Sequence, residues 1–367
     1  MMKENTAAIL RWLFSENNMR HLIIPGLISL LMVLWCCPAY AEANPAAFLN
    51  TGVGVRAMGM GGAYTSISDD PSAMYWNPAG VAKIQRLGIT VMGQSMGAAR
   101  WDTLSDVTPV YQFVGIILPL QSLNFINILG DDNAVGIGYI SNALGGVPYT
   151  FLDDSGVIVR EEFDDRECAW FLSYGFSLLG MDSLLLGGTL KYITQEFTRI
   201  EGASASGYDF DAGMIYSLDE GFNVGVLLQR GAELQWANGH TDAGPFTTKL
   251  GVSKKFVLPE SFSVLGSADI VQRQTTPLFS HFGAELGYEQ EHGGEIFSME
   301  GIFLRLGLDG VALEDRYEYR DKINNNVNFT AGIGVKFSYR KFGIQLDYAM
   351  GSYRLGDKNR FSLNIYL

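Results

Sequence analysis

From about residue 85 to the C-terminus the chain alternates apolar and polar residues with a period of two, the spacing at which a β-strand sends successive side chains to opposite faces. In Tyr208-Asp209-Phe210-Asp211-Ala212-Gly213-Met214 the apolar residues share one face, with Asp and Gly on the other. The pattern returns in Phe222/Val224/Val226/Leu228 against Asn223/Gly225/Gln229, and in Phe282/Ala284/Leu286/Tyr288 against Gly283/Glu285/Gly287/Glu289. It returns again in Ile302/Leu304/Leu306/Leu308 against Arg305/Gly307/Asp309, and in Ile333/Val335/Phe337/Tyr339 against Gly332/Gly334/Lys336/Ser338. The periodicity predicts fourteen amphipathic strands, at 86–99, 108–118, 133–141, 167–178, 183–199, 206–217, 220–229, 246–257, 259–272, 279–290, 294–308, 327–339, 341–352 and 360–367. Boundaries read this way carry about 2–4 residues of slack, so 12 or 16 strands stay open.

A soluble sandwich also alternates, and the connections separate the two readings. From the fourth strand onward short turns (179–182, 218–219, Leu258-Pro259-Glu260, 291–293, Arg340) alternate with longer polar loops (200–205, 230–245, 273–278, 309–326, 353–359). An outer-membrane barrel sorts its connections this way, and an even strand number puts both ends of the barrel on one side. The stretches 119–132 and 142–166 break the rule, the second as a long irregular loop. No apolar run after residue 41 approaches the ~18 residues of a membrane helix. A sheet in hydrocarbon must close on itself to satisfy its edges, so the reading is a transmembrane antiparallel barrel. The apolar faces above contain no Lys or Arg, while Asp209, Asp211, Glu285, Arg305 and Lys336 fall on the inward face. The last strand places Phe361, Leu363, Ile365 and Leu367 on one face and Ser362, Asn364 and Tyr366 on the other. It is similar to a barrel-assembly signal, although it ends in Leu367 instead of an aromatic residue.

The N-terminus is expected to be a targeting segment. Arg20 and His21 precede an apolar run from Leu22 to Cys37 that ends in Ala39-Tyr40-Ala41, the order of a secretory signal cleaved after residue 41. Residues 1–18 form a polar prefix foreign to such a leader, which points to Met19 as the start, with Met1 the alternative. Lipid attachment at Cys36 or Cys37 is disfavoured because neither follows the expected small-residue pair. The whole chain carries 26 Lys/Arg and 39 Asp/Glu, a net charge of −13. Residues 42–367 keep 23 and 37 of them, a net −14. Nucleic acid is therefore excluded as a partner, since phosphate recognition needs clustered Lys/Arg. Cys168 alone survives processing, so no intrachain disulfide is expected.

Between the leader and the first strand lies Gly52-Val53-Gly54-Val55-Arg56-Ala57-Met58-Gly59-Met60-Gly61-Gly62-Ala63, followed by Asp69-Asp70-Pro71-Ser72-Ala73-Met74-Tyr75-Trp76-Asn77-Pro78-Ala79-Gly80. Small residues allow close backbone approach and positive φ, as a segment threaded into a confined lumen requires. Asp70-Pro71 and Asn77-Pro78 read as turns or helix starts, capped by the Asp and Asn side chains. Gly52-x-Gly54-x-x-Ala57 matches a dinucleotide fingerprint only superficially, with no strand before it. The Asp69-Asp70 pair lacks the spacing of a calcium loop.

The combination Arg-Ala-Met-Gly-Met-Gly-Gly-Ala, Asp-Asp and Trp-Asn-Pro-Ala-Gly resembles the N-terminal segment of PorV/PorQ-type proteins within the FadL/TodX superfamily. The resemblance implies an all-β fold, a transmembrane antiparallel barrel of about fourteen strands with an N-terminal hatch inside the lumen. Signal peptide, hatch and barrel would occupy 1–41, 42–85 and 86–367. Carried over, Gly59, Gly61, Gly62, Asp69, Asp70, Trp76, Asn77, Pro78 and Ala79 would belong to the hatch. The FadL/TodX branch implies passive uptake of long-chain fatty acids or aromatic hydrocarbons through a hatch-gated barrel, without a cofactor. The PorV branch implies an accessory of protein secretion that binds cargo or partner subunits. The implied location is the outer membrane of a diderm bacterium. The implied partners are hydrophobic small molecules or lipids, outer-membrane lipid, the barrel-assembly machinery and, in the second branch, secretion-system proteins. No enzyme is expected. His240, His281 and His292 stand in no catalytic motif, and no metal-site spacing appears. Trp101, Trp170 and Trp236 fall near predicted strand ends or loops, as an interfacial girdle or as the lining of an entrance.

Overall fold

A computed structural model describes residues 45–96, 110–120, 132–152, 155–178, 181–219, 221–274, 276–290, 297–313, 327–353 and 356–367. The predicted signal, the choice between Met1 and Met19, Trp101 and His292 lie outside them. The strands are β1 (Gly88–Met96), β2 (Val110–Pro119), β3 (Asn133–Leu152), β4 (Ile158–Leu178), β5 (Met181–Phe197), β6 (Ser204–Asp219), β7 (Phe222–Gln229), β8 (Glu233–Trp236), β9 (Thr241–Ala243), β10 (Thr247–Val257), β11 (Phe262–Arg273), β12 (Phe279–Glu289), β13 (Phe297–Ala312), β14 (Asn328–Tyr339), β15 (Phe342–Tyr353) and β16 (Gly356–Tyr366). All pair antiparallel. β1 pairs with β16, and β5 with β6, so β1–β7 and β10–β16 close a ring of fourteen. β8 and β9 form a side hairpin paired to the loop end of β6.

Closure decides where the side chains go. Val114, Ile137, Leu172, Ile270, Leu286, Leu304, Leu306, Ile333 and Leu346 are exposed on the outer face. Asp209, Asp211, Glu285 and Arg305 are buried on the inner one, and Lys336 is half-buried, as the period-two pattern predicts. A belt of Tyr139, Trp170, Tyr192 and Tyr208 runs in register across the loop side of β3–β6. Phe262, Tyr288, Phe297, Phe337 and Phe342 ring the turn side. Two aromatic belts flanking an aliphatic band are the outer surface of a barrel in a bilayer. Among the described residues no helix is long and apolar enough to cross a membrane. The C-terminal strand faces as expected, with Phe361 and Leu363 outward and Ser362 and Asn364 buried.

Three sequence expectations need correction. The stretch 142–166, read as a loop, is mostly strand: β3 and β4 stay paired to Leu152↔Ile158, well past Ala143, where pairing with β2 ends. A register shift between Leu144 and Val147, at Gly145-Gly146, breaks the alternation that sequence reading relies on. Pro148 is tolerated there because it pairs with Glu162 on one side only among the described strands. The loop 230–245 contains the β8–β9 hairpin, whose strands are too short to show a period. Of the predicted loop 353–359, Tyr353 belongs to β15 and residues 356–359 to β16, with Tyr353 paired to Gly356. Trp170 accordingly lies inside β4, beside Tyr139 at 4.5 Å, and Trp236 sits in β8 stacked on Phe197.

Candidate functional site: the segment inside the barrel

Residues 45–87 do not continue the sheet. A 3-10 turn (Ala47–Thr51) leads to a helix α1 (Val55–Gly59), then to a second short helix α2 (Ala73–Trp76) and a 3-10 helix over Pro78–Lys83 that delivers the chain to β1. Nearly every residue from Gly52 to Ile84 is buried. What buries them is the inner wall, and glycine lets them approach. A methyl group added at Gly213 would lie 2.0 Å from Asn77 Oδ1, and one at Gly187 2.4 Å from the Pro78 carbonyl. At Gly225, Gly283 and Gly307 it would strike the backbone of Thr65, Met60 and Gly61 at 2.4, 2.6 and 2.1 Å. Gly175, Gly187 and Gly213 are register neighbours on β4, β5 and β6. The polar positions of the alternation are thus often glycine because backbone meets backbone there.

The carried-over residues take different places in the segment. Asn77 is the central polar contact: its amide donates to the Thr65, Met214 and Val226 carbonyls at 2.8, 3.1 and 3.3 Å, and its Oδ1 caps Ala79 N at 3.1 Å. Pro78 occupies the first turn of the 3-10 helix, as the Asn-Pro reading expects. Asp70 accepts from Ser72 N and from Tyr64 Oη, both at 2.8 Å, an Asx-type turn before α2. Burial, and then the charge of Asp69, raise its carboxyl above the usual range. Trp76 donates Nε1–H to the Val53 carbonyl at 2.7 Å and packs edge-on against Tyr64 and Tyr75. Gly61 and Gly62 have φ of +65° and +77°, and Gly59 lies against Gly332. Asp69 is the exposed member, 2.5 Å from Arg56.

Other participants carry no motif and are found only by their inward register. Arg56 in α1 places Nε and Nη2 at 2.8 Å from the two oxygens of Glu285 on β12. Glu285 also takes Arg305 Nε at 2.6 Å, and Arg305 reaches Asp347 at 2.6 Å. Asp347 is held in turn by Asn364 and Gln345. The result is a ladder of alternating charge, Asp69–Arg56–Glu285–Arg305–Asp347. On β11, Asp269 accepts from Tyr64 N and Thr65 N at 3.0 and 2.9 Å. Thr330, His281 and Ser267 donate to the carbonyls of Gly59, Gly61 and Ala63. His281 Nδ1 must carry the proton, because Asp309 also lies 3.0 Å away and both neighbours only accept. Lys83 donates to Ile67 O at 2.6 Å, and burial lowers its ammonium to about 8.

Two cavities flank the segment. On the loop side, about 60 Å³ opens beside Ala46, Tyr75, Lys249 and Arg273. On the turn side, about 700 Å³ opens beneath α1, lined among others by Arg56, Glu285, Phe303 and Arg305. The described histidines meet no nucleophile: His240 lies against Asp242, and His281 as above. Among the described residues no group of three or more His, Cys, Asp or Glu could hold a metal ion.

No protein-family model and no curated protein matches the chain. Solved structures do. The Pseudomonas putida toluene transporter TodX aligns over 86% of this chain and 96% of its own, with 12% identity and a TM-score of 0.50. A TodX ΔS2S3 mutant, described as a monoaromatic hydrocarbon channel, aligns over 86% and 97% with 13% identity and a TM-score of 0.52. The monoaromatic hydrocarbon channel CymD aligns over 88% and 98% with 13% identity and a TM-score of 0.51. At such identities the shared property is the fold, a closed fourteen-strand barrel.

Proposed function

We propose that this protein is an outer-membrane channel for the passive uptake of hydrophobic compounds, long-chain fatty acids or aromatic hydrocarbons, in which residues 42–85 act as the hatch. The observation that carries the reading is a barrel with an aliphatic outer band whose lumen is filled by its own N-terminal segment. TodX and CymD, whose fold it shares, are hydrocarbon channels by description. A filled lumen stops free diffusion of ions and water, while an apolar solute follows any path that a shift of the segment opens along the apolar wall of Phe113, Ile140, Phe171 and Ile193. The test is uptake of a fluorescent long-chain fatty acid, and separately of toluene, by liposomes containing the refolded barrel. Saturable uptake supports the reading; an intact, heat-modifiable barrel that moves neither compound refutes it.

A second reading, the PorV/PorQ-like secretion accessory, draws on the paired extension of β3 and β4 beyond the barrel. That extension offers a folded surface to an exported protein on the loop side. Loss of partner capture on deleting 145–162, with uptake unchanged, would favour it.

A further inference from the structure

The charge of the chain is unevenly placed. Residues 42–367 carry 23 Lys/Arg and 37 Asp/Glu, yet the turn-side cavity of about 700 Å³ is lined by seven of the former and four of the latter. Those four carboxylates are already engaged, two of them twice. Glu285 is shared by Arg56 and Arg305, and Asp69 also meets Arg56. Glu289 is shared by Lys255 at 3.9 Å and Lys336 at 3.2 Å, and Lys336 reaches Glu300 at 3.8 Å. Three exposed cations at the rim are left over. Arg86, ahead of β1, donates to the carbonyls of Lys341 and Tyr366, and Arg340 lies over the Tyr339 ring. Among the described residues neither they nor Lys341 meet a carboxylate.

Two of the rim cations stand where the backbone favours other residues. β14 turns into β15 through Arg340-Lys341 alone, closed by the Tyr339–Phe342 pair, and Arg340 takes a φ of +55°. Two-residue hairpin turns of this kind favour Asn or Gly at such a position, so the turn carries a guanidinium at a conformational cost. The lining lysines do not serve the bilayer. Lys255 follows Gly251 and Ser253 on the inward side of β10, and Lys336 follows Gly332 and Gly334 on that of β14. They face the barrel axis and not the lipid headgroups around it. The positive charge is also spread, over β10, β14, the β14–β15 turn and the approach to β1, so one small anion would meet only a fraction of it. A chain bearing several carboxylates meets all of it, and a cleft lined by an excess of one sign of charge draws such a chain in from solution.

We infer that the turn-side mouth is a docking site for an extended acidic segment of a periplasmic protein, held by Arg86, Arg340 and Lys341 at the rim and by Lys255 and Lys336 within. The turn side faces the periplasm because short turns do so in outer-membrane barrels. The inference rests on the barrel and this orientation, and not on what passes through it.

The test uses the full barrel in zwitterionic lipid nanodiscs and a fluorescent peptide of alternating Glu and Ser, read by anisotropy. The Glu peptide should bind saturably and weaken as salt is raised, while the same peptide with Gln or Lys in place of Glu should not bind. Arg86→Gln, Arg340→Gln and Lys341→Gln together should weaken binding about ten-fold, the sum of three exposed pairs of ordinary strength. Arg160→Gln, Arg166→Gln and Arg230→Gln, the same change of charge on the exposed loop side, should leave it unchanged. Heat-modifiability on gels confirms that both triple variants are folded. Carbodiimide coupling of carboxylate to amine should join the Glu peptide to Lys255, Lys336 or Lys341 of the wild type. No binding of the Glu peptide, equal loss in the two triple variants, or coupling only to other lysines would each overturn the inference. Displacement of the peptide by acetate at equal carboxylate concentration would show a small-anion site, and its exclusion by anionic lipid in the disc a headgroup site; either result overturns the inference as well.

Discussion

Gly213 faces the tip of the buried segment, and the smallest possible side chain there should displace it. In Gly213→Ala the new methyl would lie 2.0 Å from Asn77 Oδ1 and 2.8 Å from Pro78 Cδ, so Asn77 has to move. Overpacking of this kind costs about 1–3 kcal/mol. Asn77 also weakens its contacts to Thr65, Met214, Val226 and Ala79, each worth about 1 kcal/mol net in good geometry. Not all are lost, so about 2–4 kcal/mol in total is expected, a rise of roughly 30- to 1,000-fold in the displaced population. The outer face of β6 is untouched, so the barrel itself should refold and remain heat-modifiable. Hydrogen exchange of residues 64–80 and bilayer conductance both read the displaced population. Gly266→Ala is the control, because a methyl there meets nothing within 4 Å. Exchange and conductance equal to wild type in Gly213→Ala, or an equal change in Gly266→Ala, would refute the wedge argument.

Arg305→Met should lower barrel stability by about 3–5 kcal/mol, because it leaves Asp347 a buried carboxylate without a cation and Glu285 with Arg56 alone; the urea midpoint in detergent checks this. Leu304→Arg, one residue away but facing out, should cost about 2–4 kcal/mol when refolding is measured in bilayers. Its penalty should shrink in detergent, where the arginine reaches water. The Lys83 ammonium titrates near 8 in the folded segment against 10.5 ordinarily. Between those values the folded state binds fewer protons than the unfolded chain, so segment stability should rise with pH through that window. Trp76 fluorescence under denaturant should show the rise in wild type, and Lys83→Met should abolish it.

The barrel was legible because one physical requirement writes the same period into every strand: apolar residues toward hydrocarbon, anything else toward the lumen. Asp209, Asp211, Glu285 and Arg305 were assigned inward on that ground alone. Legibility failed where the requirement lapses. Above the membrane β3 and β4 no longer face lipid, and Gly145, Gly146 and Pro148 read as turn residues although they sit in a continuous hairpin. The motif residues of the segment, Asn77-Pro78 above all, announced capping, and the capping is there. Which wall residues meet them was not legible, because Arg56 and Glu285 are 229 positions apart and their pairing depends on how the chain crosses the lumen.

The wall glycines show how the two halves of the sequence constrain each other. An amphipathic strand needs polar or small residues inward, and water would satisfy any of them in an open pore. Here the inward positions Gly187, Gly225, Gly283 and Gly307 meet main-chain atoms of residues 60–79, and Gly213 meets the side chains of Asn77 and Pro78, at distances no side chain could share. Such positions make sense only if the lumen is normally filled by backbone, so the glycines in the strands and the Gly-rich stretch at 52–62 are two sides of one contact. On β12 the inward glycines Gly283 and Gly287 alternate with His281, Glu285 and Glu289, and Glu285 reaches across to Arg56. A wall built to hold its plug by shape alone would have placed glycine there too. The charge at that point instead makes the hold on α1 directional, two parallel hydrogen bonds from the Arg56 guanidinium to the Glu285 carboxylate.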